Sequence, residues 1–208
     1  MKTEVIRVEP GAPDPAAIER AVELVERGGI VAFPTETVYG IGCLPGFTGS
    51  VDRIYALKGR EFDKPLGVYL AEPGAIARHA RHVPEAAGRL IERYLPGPVT
   101  VILDGPSGGK VGFRVSPNPT LIGLLRALGK PLVGTSANLS GRPSSRDAPE
   151  VLEAFDGRIE VVLDAGRTLA GADSTVIDCT TSPPTLLRAG AIPADRIATL
   201  LGAPLRRV

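Results

Sequence analysis

The stretch GGIVAFPTETVYGIG, residues 28–42, sets an uninterrupted apolar run against a polar corner. Ile30 to Phe33 read as a strand buried on both faces, since a half-exposed strand would alternate apolar with polar. Pro34 ends it, and Thr35, Glu36 and Thr37 then bring two hydroxyls and a carboxylate to the strand end, with Gly40 and Gly42 close behind. A turn needs glycines but has no use for Thr-Glu-Thr. This pattern marks a place where something polar is held, with the glycines letting backbone pass close by.

Outward from that strand, helical and strand patterns alternate. EVIRV (4–8) reads as a strand, and Asp14-Pro15 supplies an N-cap and a first-turn proline for a helix through Arg27, ended by Gly28-Gly29. SVDRIYALKG (50–59) reads as a helix capped by Ser50, and LGVYL (66–70) as a short strand. AIARHARHV (75–83) has helical character, and PEAAGRLIERYL (84–95) is an amphipathic helix stopped by Pro96-Gly97-Pro98. VTVIL and VGFRV form a hairpin across the glycine-rich DGPSGGK. TLIGLLRALG is helical, PLVGTS strand-like, APEVLEAF helical. VVLD, STVIDCT and TLLRAG are three further strands before a last helix in PADRIATLLG. Alternation early and clustered strands late predict an α/β fold with a twisted mixed sheet flanked by helices. SGRPSSRDAP (140–149) is the segment with the composition of a mobile loop.

Composition narrows the function classes. The 208 residues carry a formal net charge of +1, 43% hydrophobic and 4% aromatic residues, which speaks against a dedicated nucleic-acid or membrane binder. No apolar run reaches the length of a bilayer span, and the N-terminus MKTEVIRVEPG lacks a signal peptide's apolar core, so a cytoplasmic protein is expected. Cys43 and Cys179 are the two cysteines and read as small buried apolar residues. His79 and His82 stand three apart without a companion at ligand spacing, so no metal site made by protein side chains is predicted. GPSGGKV is one residue short of a P-loop and has Val111 where that motif needs Ser or Thr, while GIGCLPG is mis-spaced for a dinucleotide turn.

Two polar clusters remain. KGREFDK puts Lys58, Arg60 and Lys64 into seven residues, partly offset by Glu61 and Asp63. The residues alone leave a solvated charged turn and a triphosphate clamp open; the clamp would use Lys as point charges and Arg as a fork. GTSANLSG (134–141) lines up small hydroxyl and amide groups at a strand end. It suits either a phosphate or ribose site or a helix N-cap at Ser136 or Asn138.

FPTETVYGIG, LKGREFDKPLGVYL, LPGPVTVIL, VGFRV, TSANLSG, STVIDCT and LLRAGAI occur in the order and character of the YrdC/Sua5 family, which this chain resembles from about residue 14 to about 200. The K-x-R and S-x-N signatures of that family are both whole, as Lys58-Gly59-Arg60 and Ser136-Ala137-Asn138. The resemblance implies a YrdC-like sheet curving around a large positively lined cavity. It also implies synthesis of threonylcarbamoyl-AMP from L-threonine, bicarbonate or CO2, and ATP with Mg²⁺, releasing pyrophosphate. Transferase proteins of the same pathway would then form N6-threonylcarbamoyladenosine (t6A) at adenosine 37 of tRNAs reading ANN codons. Carried over by position, Lys58 and Arg60 are catalytic; Lys58, Arg60, Lys64, Lys110, Ser136, Asn138, Ser144 and Arg188 bind the nucleotide. Thr35, Tyr69, Arg114, Thr135 and Ser174 line the threonine pocket, Tyr69 standing where relatives often carry histidine and Arg114 meeting the threonine carboxylate.

Under this resemblance residues 1–208 form one catalytic domain, with 189–208 a short arm and the chain too short to hold the second domain of longer relatives. A paralogous branch without established synthase activity is disfavoured by the intact S-x-N. The carbamoyl-transfer domain of hydrogenase maturation belongs to a longer chain with zinc-finger-like cysteines, absent here. RNA binding is expected to be weak at most.

Overall fold

The computed structural model describes residues 2–61 and 64–207. Among these residues eleven strands form one sheet in the order β1-β8-β2-β3-β7-β4-β6-β5-β9-β10-β11. They are β1 (Glu4–Arg7), β2 (Val31–Phe33), β3 (Gly40–Cys43), β4 (Gly67–Tyr69), β5 (Val99–Asp104), β6 (Lys110–Arg114), β7 (Leu132–Ser136), β8 (Val161–Asp164), β9 (Thr175–Asp178), β10 (Thr185–Arg188) and β11 (Arg206–Arg207). The helices are α1 (Pro15–Glu26), α2 (Thr48–Lys58), α3 (Ile76–His79), α4 (Glu85–Tyr94), α5 (Pro119–Leu128), α6 (Ala148–Phe155) and α7 (Ala194–Leu201). Parallel and antiparallel pairs are mixed, as the clustered strands predict: β2 runs parallel to β8 and antiparallel to β3, and β5 runs antiparallel to β6 and parallel to β9.

The apolar run Ile30–Phe33 is explained by burial on both sides. Val31 and Phe33 enter a core with α1 and α5, where Val161 and Leu163 join them. Ile30 and Ala32 point the other way, into a core with α2 and α6 that also takes Val162. Strands β5 and β6 differ. Val99, Val101, Leu103 and Phe113 enter a third core with α4 and α7, while Thr100, Ile102, Gly112 and Arg114 face a cavity. The period of two in VTVIL is therefore a real division between core and cavity.

Local signals set most boundaries. Asp14 accepts the amide of Ala16 at the start of α1, Asn118 accepts those of Thr120 and Leu121 at α5, and Asp147 that of Glu150 at α6. Ser50 is not the cap of α2: the helix begins at Thr48, and the Ser50 hydroxyl donates to the Gly28 carbonyl, tying α2 to the turn after α1. No helix follows Ser136 or Asn138, and the helical character of 75–83 is confined to a 3-10 turn at Pro73–Ala75 and the single turn of α3. GIGC, unrecognised as a strand from sequence, is β3. Phe33 sits directly across from Gly40, and a Cβ there would come within 2.5 Å of the Phe33 ring. The glycines of the opening stretch thus make room for that ring, which also meets Tyr69 edge-on at 5.0 Å.

The SGRPSSRDAP segment is irregular but tied down: Asn138 Nδ2 donates to Arg142 O, Ser144 to Asp173, and Ser145 to the Ala137 carbonyl. Both cysteines are buried and unpaired, with burial pushing each thiol up to about 12. Among the described residues no helix is long and apolar enough to cross a membrane.

Candidate active site

A cavity of about 760 Å³ opens on the face of the sheet that carries no helix beneath β5 and β6. Its walls come from the corner after β2, the loop after α2, strands β4 to β7, and the β9–β10 pair. Of the thirteen residues singled out by position, ten line it: Thr35, Arg60, Lys64, Tyr69, Lys110, Arg114, Thr135, Ser136, Ser174 and Arg188. The other three are each hydrogen-bonded to a residue that does. Lys58 and Asn138 join Ser136, and Ser144 joins Asp173. Asp63 lies outside the described residues.

The two cations of the K-x-R signature have opposite surroundings. Gly59 between them closes α2 in the left-handed region at φ 59, where residues with a Cβ are strained, and the chain reverses there. Lys58 turns inward and is buried. Its ammonium donates to the carbonyls of Ser136 and Asn138, both at 2.6 Å, and to Asn138 Oδ1 at 3.4 Å. The Ser140 amide returns a bond to the Lys58 carbonyl, and the Ser136 hydroxyl donates to Asn138 Oδ1. The K-x-R and S-x-N signatures therefore build one clasp that shapes the loop after β7. Burial, reinforced by the neighbouring charge of Arg60 and opposed by Asp173, pulls the Lys58 ammonium down to about 8. Arg60 lines the cavity and closes its own loop through the carbonyls of Lys64 and Pro65.

Arg114 is buried in the opposite wall. Nη1 donates to the carbonyls of Gly97 and Val99, and Nη2 to Glu36 and the Thr37 hydroxyl. Four of its five N–H donors are thus committed, leaving Nε. Burial pulls its guanidinium below the usual value and the Glu36 charge opposes that pull. Glu36 also accepts from Ser116. Thr35 donates to the Val38 carbonyl at 2.6 Å and accepts the amides of Thr37 and Val38, which leaves the Thr37 hydroxyl to donate to Thr35. The Thr-Glu-Thr corner is a closed network around Arg114, organised by Glu36.

On the far wall Arg188 donates through Nε to the Ser174 carbonyl and through Nη2 to its hydroxyl, and Ser174 also meets Thr100 at 2.9 Å. Lys110 reaches Asp178 at 2.7 Å, and that buried carboxylate accepts Thr180 as well, which together hold it below its usual range against the upward push of burial. Asp173 is the one carboxylate lining the cavity among the described residues, facing Arg60, Lys64, Lys110, Arg114 and Arg188. Sequence reasoning missed Asp173, Asp178 and Ser116, whose partners lie far away along the chain. The floor is flat because Gly67 and Gly112 bring no side chain to it, and Gly134, opposite Gly67, tolerates none: a Cβ there would lie 2.2 Å from the Ile41 carbonyl. A walled, cationic chamber with a flat floor fits a polyanionic ligand with a planar part beside a small zwitterion. Among the described residues no group of three or more His, Cys, Asp or Glu side chains is arranged to hold a metal ion.

Comparison with known proteins gives the family. The family model for Sua5, YciO and YrdC, described as telomere recombination, matches residues 23–190. Threonylcarbamoyl-AMP synthases of Pyrococcus abyssi and Bacillus subtilis are 38% and 37% identical over 89% of this chain each. The chain spans 57% and 56% of those two relatives. The crystal structure of P. abyssi Sua5 complexed with L-threonine superposes with a TM-score of 0.92 at 35% identity, covering 99% of this chain and 63% of that one. With the matched region running from α1 to β10 and the cavity built inside it, the chain belongs to the Sua5/YciO/YrdC family.

Proposed function

We propose that this protein is a threonylcarbamoyl-AMP synthase, condensing L-threonine, bicarbonate or CO2, and ATP into threonylcarbamoyl-adenylate and pyrophosphate. The observation that carries the reading is the gathering of ten of the thirteen position-matched residues on one cavity, with the other three bonded to its walls. The α-ammonium of threonine gives one proton to bicarbonate, which yields CO2 and water; the free amine then attacks the carbon of CO2 and loses its second proton to solvent, giving a carbamate. A carbamate oxygen then attacks the α-phosphorus, and the bond to the β-phosphate oxygen breaks to release pyrophosphate. The substrates supply the nucleophile, so the protein's work is orientation and charge stabilisation, the former worth up to ~7–11 kcal/mol.

Arg60, Lys64, Lys110 and Arg188 are the cations that meet the phosphates, and Arg60 is the catalytic one. Lys58 acts through its clasp on the S-x-N loop and so serves as a positioning residue. Arg114 meets the threonine carboxylate through Nε and through its field, since its forked nitrogens are held by Glu36, Thr37 and two carbonyls. Magnesium arrives with ATP as part of the substrate, held by phosphate oxygens and water. The product is handed to threonylcarbamoyl-transferase proteins for t6A formation on tRNA.

The test is pyrophosphate release from ATP with L-threonine and bicarbonate omitted in turn. Release that requires both, with serine a poor substitute, supports the reading. ATP left intact, or cleaved equally without threonine, removes it.

A further inference from the structure

The cavity's charge is one-sided in a way that a zwitterionic substrate has to answer. Among the described residues five cationic side chains line it, suited to phosphates and to a carboxylate, and each repels an ammonium. Among the described residues, three carboxylates bear on the walls' cations. Glu36 is committed to Arg114 and Ser116, and Asp178 to Lys110 and Thr180. Among the described residues Asp173 alone faces the cavity. Its Oδ1 accepts the Ser144 hydroxyl at 2.9 Å, while Oδ2 stands 3.8 Å from Arg188 Nη1, beyond hydrogen-bond reach. A carboxylate oxygen has room for a second donor, and Oδ2 has lone pairs to give. The side chain is 35% exposed, so it is reachable from the cavity and not sealed in the wall. It is also the immediate neighbour of Ser174, whose hydroxyl and carbonyl are fixed by Arg188 and Thr100.

We infer that Asp173 accepts the α-ammonium of the amino-acid substrate and thereby selects an amino acid over other small carboxylates. The inference rests on the synthase reading and deepens it. Asp173 is the anionic counterpart of the cationic wall: the zwitterion lies between Asp173 at one end and Arg114 at the other, while the phosphates keep to the remaining cations. Ser144, which holds Oδ1, aims the second oxygen into the cavity.

The experiment is calorimetric titration of the full chain and of Asp173→Asn with three ligands: L-threonine, its analogue with hydroxyl in place of the amine (2,3-dihydroxybutanoate of matching configuration), and ATP. Asparagine keeps an oxygen for Ser144 while removing the charge. The expected result is a loss of about tenfold or more for threonine in the variant, the usual size of a charge-assisted hydrogen bond. The hydroxy acid should bind the unaltered protein weakly and change little in the variant, and ATP should bind the variant at least as well. Equal losses for threonine and the hydroxy acid would make Asp173 a brace for Ser144 and Arg188 and overturn the inference, as would unchanged threonine binding. Failure of the unaltered protein to bind threonine at all would overturn the synthase reading and this inference with it. Should Asp173→Asn not fold, Asp173→Glu serves: it keeps the charge but displaces it by one methylene, and it is expected to retain the preference for threonine over the hydroxy acid with reduced affinity. Loss of that preference would overturn the assignment.

Discussion

The two halves of the sheet are built alike and used differently. Around β2 and β8 both faces are covered by helices, α1 and α5 on one side and α2 and α6 on the other, and the strands are apolar but for Asp164 at the end of β8. Around β5 and β6 helices cover a single face, and the uncovered one carries threonine, glycine, arginine and lysine into the cavity. Among the described residues the cavity is thus the space where a second helical layer is absent. Its walls replace apolar packing with hydrogen-bonded charge: Lys58 held by three oxygens, Arg114 by Glu36 and carbonyls, Lys110 by Asp178. One half supplies stability, and the other trades some of it for a polar surface.

Substitutions can break that division. Phe33→Ala in the two-sided half should cost about 3–5 kcal/mol in urea unfolding, since the ring is fully buried and also braces Tyr69. A loss below about 1 kcal/mol would mean that β2 is not locked between its layers. In the open half, Glu36→Ala strands the buried Arg114 charge and should cost about 3 kcal/mol, part of which returns when Arg114→Met is added. Equal costs with Arg or Met at 114 would show that the two are not coupled.

Arg60→Ala should leave the unfolding midpoint in place yet lower kcat/KM for pyrophosphate release by about two orders of magnitude or more, ~2.7 kcal/mol of transition-state stabilisation. Near-normal turnover would remove Arg60 from the chemistry. The smallest effect is a slope. Lys58 titrates near 8 when folded and near 10.5 when unfolded, so between those values the unfolded chain binds the extra proton. Stability from this group is therefore fully present above the unfolded value and is lost as pH falls toward 8, at up to ~1.4 kcal/mol per pH unit. Unfolding titrations at pH 8 and 9.5 should show that gain in the unaltered chain and not in Lys58→Met. Parallel curves would mean that the clasp keeps the ammonium charged.

Legibility in the sequence followed the same division. The helix cap at Asp14 and the β5–β6 hairpin rest on neighbours in the chain and could be read directly. Strand β3 could not, because GIGC shows no alternation and its glycines answer to Phe33 across the ladder. Ser50 looked like a cap, but its acceptor is Gly28, 22 residues back. The cationic members of the site were visible by position. Their carboxylate counterparts were not, since Glu36 finds Arg114 and Asp178 finds Lys110 only after folding.

Those separations have a consequence for synthesis of the protein. Lys58 waits 78 residues for Ser136, Glu36 the same distance for Arg114, and Tyr39 waits 127 residues for Gly166. The last wall, Ser174 with Arg188, is translated late. A growing chain can close the β2–β3 corner early but has no chamber until residue 188 has left the ribosome, and such long-range closure is slow. Until then the lysines and arginines that line the cavity are not gathered in one place, and no ligand has a chamber to enter.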